Sequence, residues 1–279
     1  MASALRDDAI TVGSFDFGES ELLAEIYSAA LEGEGFEVER VLGVGSRELV
    51  LPALTGGLLE LVPEYSGTAL QFVSLDRAVP VADVRATHAA LRDALAGGPV
   101  VAMAPSPAQD TNAFVVTRET ATRYGLAAIS DLATVAWRLT FGGPPECPSR
   151  PFCLQGLEEV YGLEFGRFLS LDVGGPLTQE ALESGHVDVA LLFSTDPALI
   201  DGDFVALADD RGLQPAENVT PLVRREVLDR WGARFERVVD GVSRSLTTTA
   251  LRELNEQMAD GADASTVASE WLASQEVGS

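Results

Sequence analysis

From the ninth residue onward, short apolar stretches alternate with longer runs whose apolar residues recur every three or four positions. Ala9-Ile-Thr-Val12 predicts a strand, and Ser20 to Leu31, with Leu22, Leu23, Ile26, Ala30 and Leu31 near a 3.6 period, predicts an amphipathic helix. A strand follows over 36–41, then a helix over 46–54 with Ser46 at its N-cap, then a strand over 58–62 that Pro63 ends. A helix over 84–95 leads through Gly97-Gly98-Pro99 into a strand over 100–104, and Pro105 and Pro107 mark a crossover.

Between residues 105 and 208 the alternation restarts, with strands near 113–116, 138–141, 164–171, 187–192 and 204–207. From Pro221 onward the pattern is helical, at 238–246, 249–258 and 264–272, without strands of its own. Helices of that kind need a sheet to cover, which makes the first lobe discontinuous. The expected fold is α/β, two mixed sheets flanked by helices: residues 8–104 plus 210–279 form lobe 1 and residues 105–209 form lobe 2. Two chain crossings then act as a hinge, with ligand in the cleft. No internal repeat or low-complexity tract is visible in the sequence.

Composition narrows the partners. A formal charge of −24, from 43 acidic and 19 basic side chains, repels phosphate backbones and anionic membrane surfaces, so nucleic acid is excluded as a partner. No apolar run approaches the roughly 18 residues a membrane span needs. Met1-Ala-Ser-Ala-Leu5 lacks the regions of a signal peptide, which leaves a cytosolic protein or one whose export signal is not in this sequence. Cys147 and Cys153 sit six apart, and His88 and His186 stand apart from them, so no zinc site and no cofactor are expected. The cysteines read as a small disulfide ring, which implies an oxidising compartment, or as two reduced buried thiols.

Enzyme chemistry finds little support. Gly-x-Ser-x-Gly is absent, and Gly43-Val-Gly45-Ser46 lacks the lysine of a phosphate loop and the third glycine of a dinucleotide fingerprint, so it reads as a turn.

Several runs, taken together and in order, cover nearly the whole chain. They are Ile10-Thr-Val-Gly-Ser-Phe-Asp-Phe-Gly-Glu19, Leu23-Ala-Glu-Ile-Tyr27, Gly45-Ser-Arg-Glu-Leu-Val50 and Pro63-Glu-Tyr-Ser-Gly-Thr-Ala69, then Arg150, Gly156-Leu157, Tyr161-Gly-Leu163, Phe193-Ser-Thr-Asp196, Asp209-Asp210 and Pro221-Leu-Val-Arg224. In these the chain resembles the glycine betaine/choline/carnitine family of ABC-transporter substrate-binding proteins. The resemblance implies a bilobal type II periplasmic-binding-protein fold, monomeric in solution, that closes on a quaternary ammonium ligand and delivers it to a membrane permease. It also implies an extracytoplasmic location, periplasmic or as a cell-surface lipoprotein. An extracytoplasmic sensor of the same fold is the alternative.

The family's site is an aromatic cage, in which ring faces attract a methylated ammonium that cannot donate hydrogen bonds. By resemblance Tyr65 and Phe193 are cage rings, Arg150 binds the ligand carboxylate, and Thr68, Asp110 and Thr195 support it. The departures are specific. Gln109-Asp-Thr-Asn112 stands where Asn-Asn-Thr-Tyr is frequent, Gln214-Pro-Ala-Glu217 where Phe-Pro-Pro-Tyr is frequent, and Phe15 where a lysine is frequent. Two rings are thereby replaced by Asn112 and Glu217, and Phe15 can add one. A cleft with Asp110, Asn112 and Glu217 favours a ligand with a cationic centre and polar donors: choline, a hydroxylated or ring-bearing betaine, or an amino-acid-like zwitterion.

Overall fold

The computed structural model describes residues 9–75, 81–200 and 203–277. In chain order the strands are β1 (Ala9–Gly13), β2 (Glu37–Val41), β3 (Leu61–Tyr65), β4 (Val100–Ala102), β5 (Asn112–Thr117), β6 (Thr140–Gly143), β7 (Arg167–Ser170), β8 (Val189–Phe193), β9 (Phe204–Ala206) and β10 (Val219–Arg224). The helices are α1 (Gly18–Gly33), α2 (Arg47–Gly56), α3 (Ser66–Ser74), α4 (Val84–Ala94), α5 (Arg118–Tyr124), α6 (Leu154–Tyr161), α7 (Pro176–Glu183), α8 (Arg225–Ser245), α9 (Thr248–Ala259) and α10 (Ala264–Val277).

Two compact units divide the chain: unit 1 runs to Gln109 and resumes at Ala216, and unit 2 is Asp110–Pro215. Each holds one five-stranded mixed sheet, ordered β2-β1-β3-β10-β4 in unit 1 and β7-β6-β8-β5-β9 in unit 2. In unit 1, β1 lies parallel to β2 and β3 while β10 runs antiparallel to β3 and β4. Unit 2 repeats this, with β6 parallel to β7 and β8 and β5 antiparallel to β8 and β9. The repeat invisible in the residues is therefore present in the connections. In each sheet the antiparallel strand is the first one after the chain enters that unit from the other.

The unit boundaries fall five or six residues later than the pattern placed them, and backbone hydrogen bonds explain the difference. Ser106 N–H donates to Val219 O at 2.8 Å, Val219 N–H to Ala108 O at 3.0 Å, and Ala108 N–H to Leu246 O at 3.0 Å, which keeps 103–109 in unit 1. At the other crossing, Leu213 and Gln214 N–H donate to the Asp209 carboxylate at 2.9 and 2.7 Å, which keeps 209–214 in unit 2.

Two further expectations fail around prolines. The segment from Pro221 onward is not helical throughout, because Pro221 lies within β10, which runs between β3 and β4 in the unit 1 sheet. Nor does Pro63 end a strand: it lies inside β3, directly opposite Pro221. Proline disrupts a ladder by lacking an N–H, but Pro221 O still accepts from Met103 N–H at 2.9 Å, and the Met103 oxygen that the missing N–H would have met takes His88 Nε2 at 2.8 Å instead. Ser46 does occupy the N-cap of α2, yet its hydroxyl donates to Glu48 at 2.7 Å instead of capping.

The larger core of unit 1 places α1 between the sheet and the C-terminal helices. Leu22, Leu23, Ile26 and Tyr27 meet Phe235, Val239 and Val242 of α8 and Leu251 and Leu254 of α9. The Tyr27 hydroxyl, fully buried, is satisfied by Ser243 at 2.9 Å. Helix α8 starts thirteen residues before its apolar pattern becomes visible, and Gly232 bends it with φ 54°. Unit 2 packs Phe114, Phe141, Leu157 and Tyr161 into its own core.

Candidate functional site

In unit 1 the candidate residues gather where β1, β3 and α3 meet. Tyr65 is the last residue of β3, and its phenol donates to Glu19 at 2.6 Å. The other oxygen of Glu19 accepts from Asn255 Nδ2 of α9 at 2.7 Å, so the phenol is held in one orientation from two sides. Phe15, Phe17 and Tyr65 form a row of rings with centroids 6.0 and 6.2 Å apart and near-parallel planes. Phe15 is buried and Phe17 half-buried. Reading the residues missed Phe17; its spacing of two from Phe15 after a strand was the available signal.

A charged group lies under this row. The Arg47 guanidinium stands 4.9 Å from the centre of the Phe15 ring and donates to both oxygens of Glu64, at 2.6 and 3.0 Å. Glu64 is wholly buried and also accepts the Tyr65 N–H at 2.7 Å. Burial opposes the charge on Arg47, but Glu64, then Glu217 and Glu48, more than offset it and hold the guanidinium above its ordinary value.

Glu217 is 4% exposed and turns toward the start of α3. One of its oxygens accepts from Gly67 N–H at 2.9 Å and Thr68 N–H at 3.1 Å, and the other accepts from the Thr68 hydroxyl. Thr68 and Glu217, read separately as ligand contacts, are thus each other's partners. Burial pushes the Glu217 carboxyl from 4.5 up to about 7; the Thr68 donors and Arg47 oppose the shift, and Glu64 adds to it.

A stability consequence follows from that shift. The folded chain holds the Glu217 proton more tightly than the unfolded one, so the stabilisation is complete below pH 4.5 and is lost as pH rises through about 7. Glu217→Gln keeps an acceptor for the two N–H groups but does not titrate. The urea stability of the native chain minus that of Glu217→Gln should therefore fall between these pH values, and a flat difference would contradict the assignment.

In unit 2 the candidates surround the end of the β5–β8 ladder. Asn112 and Phe193 are directly paired across it. Asp110 accepts from the Ser194 hydroxyl and the Thr195 N–H, both at 3.1 Å, and so ties the loop after β8 to the entry of β5. The Phe193 ring lies against Gly174, where a Cβ would meet it at 3.0 Å. Asn112 Nδ2 donates to Phe152 O at 2.9 Å, and Gln214 Nε2 donates to the same oxygen at 3.0 Å.

Phe152 belongs to the loop carrying Arg150, and Cys147 and Cys153 close that loop as a disulfide with Cα atoms 5.3 Å apart. Of the two cysteine readings, the bridged one is present. Asp110, Asn112, Phe193 and Thr195 are brought together, and the disulfide ring with half-buried Arg150 is joined to them through Asn112. His88 donates to or accepts from neither group; it contacts Met103 O at 2.8 Å, and His186 contacts Ser184 at 2.6 Å.

Two helix-flanked mixed sheets of the same strand order define the class as the bilobal, type II periplasmic-binding-protein fold. A crystal structure described as a glycine betaine/carnitine/choline ABC transporter shares this fold with a TM-score of 0.75 at 24% identity, over 96% of this chain and 98% of that one. The chain belongs to the OpuAC family, the substrate binding domain of ABC-type glycine betaine transport systems, whose family model matches residues 8–274. It is 27% identical over 264 residues to the glycine-betaine-binding protein of Pseudomonas aeruginosa, covering 91% of this chain and 83% of that one. It is also 24% identical over 273 residues to the glycine betaine-binding protein YehZ of Escherichia coli, covering 94% and 89%. No helix among the described residues is long and apolar enough to cross a membrane.

Proposed function

We propose that this chain captures a small quaternary ammonium solute outside the cytoplasm and hands it to the membrane permease of an ABC importer. The relatives named above carry glycine betaine in their names, and choline and carnitine share its methylated cation. The observation that carries the reading is the ring row Phe15–Phe17–Tyr65, with the Tyr65 phenol held on Glu19 and three buried carboxylates close by. Ring faces and carboxylates both attract a cation that cannot donate hydrogen bonds.

On unit 2, Phe193 offers a further ring, and Arg150, on a loop fixed by its disulfide and by Asn112, supplies a positive group for an anionic end. The disulfide also suits an oxidising compartment, consistent with a secreted or lipid-anchored protein. Capture and release need no bond-making, so no catalytic residue is assigned.

Calorimetric titration with choline and glycine betaine tests the reading. Tyr65→Ala should weaken whichever cation binds by about 1–3 kcal/mol, the scale of a lost anchor. Tyr65→Phe, which keeps the ring and loses only the bond to Glu19, should cost less. Affinity unchanged in Tyr65→Ala would place the site elsewhere.

A further inference from the structure

We infer that the open edge of β4 in unit 1 is a docking site for an extended acidic peptide segment of a partner protein, which adds to the sheet as a sixth strand and sets its carboxylates on Arg92 and Arg225. This surface is separate from the candidate solute site. It lies at the end of β10 where Arg224 pairs with Val100, whereas Tyr65 pairs with Val219 at the other end.

The unit 1 sheet stops at β2 on one side and at β4 on the other. An exposed edge presents a row of unpaired N–H and C=O groups, and proteins commonly blunt it with charged side chains. Strand β2, Glu-Val-Glu-Arg-Val, is blunted in that way, with Arg40 held by Glu25 and Glu32. Strand β4, Val-Val-Ala, carries no charge.

The register of β4 on β10 fixes which of its groups face outward. Met103 N–H donates to Pro221 O and Arg225 N–H to Pro99 O, so residues 99, 101 and 103 face β10. By the alternation of an antiparallel ladder, Val100 and Ala102 then direct their N–H and C=O groups to the open side. None of these groups meets a partner among the described residues. The side chains of Val100 and Ala102 are packed in the core, which holds the edge in extended form.

A groove of about 430 Å³ runs along this edge. It is bounded by β4, by Arg92 and Leu95 at the end of α4, and by Arg225 at the start of α8. Arg92 has no hydrogen bond or ion pair among the described residues, and Arg225 reaches only Gly98 O, at 3.4 Å through Nε. Asp93 is the one acid in the lining. Two guanidiniums against one carboxylate invert, locally, the sign of a chain whose formal charge is −24. A guanidinium receives a carboxylate through two parallel N–H groups. The negative charge elsewhere on the chain is screened beyond about 8 Å at physiological ionic strength. Backbone pairing at the edge therefore supplies the attachment, and the two arginines supply the choice of an acidic segment.

The probe is the peptide acetyl-Val-Val-Glu-Glu-Val-Val-amide, whose adjacent glutamates place one carboxylate on each face of an added strand. In nuclear magnetic resonance titrations at physiological ionic strength, the Val100 and Ala102 amides should shift. The dissociation constant should be at least about tenfold below that of the same peptide with lysines in place of glutamates. Arg92→Glu combined with Arg225→Glu should reverse that preference. Ala102→Pro removes an outward N–H and leaves the bonds to β10 in place, so it should weaken binding by about fivefold or more. Should that variant not fold, methylation of the peptide's two glutamate nitrogens tests the same pairing from the other side and should abolish binding.

Equal affinity for the acidic and basic peptides, or no binding of either to the intact chain, overturns the inference. N-acetylglutamate bound as tightly as the hexapeptide would reduce the groove to a carboxylate pocket and overturns it as well. A concentration-dependent dimer in sedimentation that Arg92→Glu with Arg225→Glu abolishes would give the edge to a second copy of this chain, against the acidic partner inferred here.

Discussion

Glu64→Ala is expected to lower the stability of unit 1 by about 3–5 kcal/mol, the cost of leaving one partner of a buried ion pair alone. Glu64 is wholly buried and the Arg47 side chain is 13% exposed, so water cannot replace the lost carboxylate without opening the structure. The substitution also strands the Tyr65 N–H, which donates to Glu64 at 2.7 Å. The loss comes from the uncompensated guanidinium and not from the worth of the pair, so removing both charges should restore most of it. Arg47→Met combined with Glu64→Gln retains an acceptor for Tyr65 N–H and should recover the larger part of the stability in urea titrations. A loss below about 1 kcal/mol in Glu64→Ala would mean that the pair behaves as a surface ion pair does.

That pair also marks how far the sequence could be read. Glu64 and Tyr65 are adjacent in the chain, and the motif around Tyr65 was recognisable from its neighbours. Arg47 gave no local sign of its role, because its partner lies across the α2–β3 connection, 17 residues away. Glu217 was legible as a departure from an aromatic position, but its direction was not: the donors it meets are 149 and 150 residues earlier. Two residues chosen for a ligand turned out to be bonded to each other, which no reading of one segment at a time can reveal. The disulfide was accessible because both cysteines belong to one loop.

Among the elements, α1 was legible because its apolar stripe continues on one face into a core formed with the C-terminal helices. Strand β10 was hidden by Pro221, a local rule overridden because Pro221 O keeps its ladder bond from Met103 N–H and His88 takes the Met103 oxygen left without a donor. The shared strand order of the two units was hidden as well. It is a property of connection and direction, and nothing requires the residues that fill two such sheets to repeat.

Gly156→Ala is expected to destabilise unit 2 by about 3 kcal/mol or more, at or beyond the upper end of ordinary overpacking. Gly156 lies in the first turn of α6, where an added Cβ would run into the carbonyl oxygen of Pro151 and approach Leu213 Cδ1 at 2.5 Å. A leucine tip can yield; the Pro151 carbonyl cannot, because its loop is tied at both ends by Cys147–Cys153 and its neighbour Phe152 is gripped by Asn112 and Gln214. Displacing that carbonyl moves the loop bearing Arg150, so ligand affinity should fall together with stability. Gly33→Ala, with nothing within 4 Å of the added Cβ, supplies the control and should change stability by less than about 1 kcal/mol. The assignment to the disulfide ring is separable from mere crowding by a double-variant comparison. With Cys147→Ser and Cys153→Ser in place the loop can shift, so Gly156→Ala should cost distinctly less there than in the bridged chain. Equal costs in the two backgrounds would show that the bridge does not hold the Pro151 carbonyl against α6.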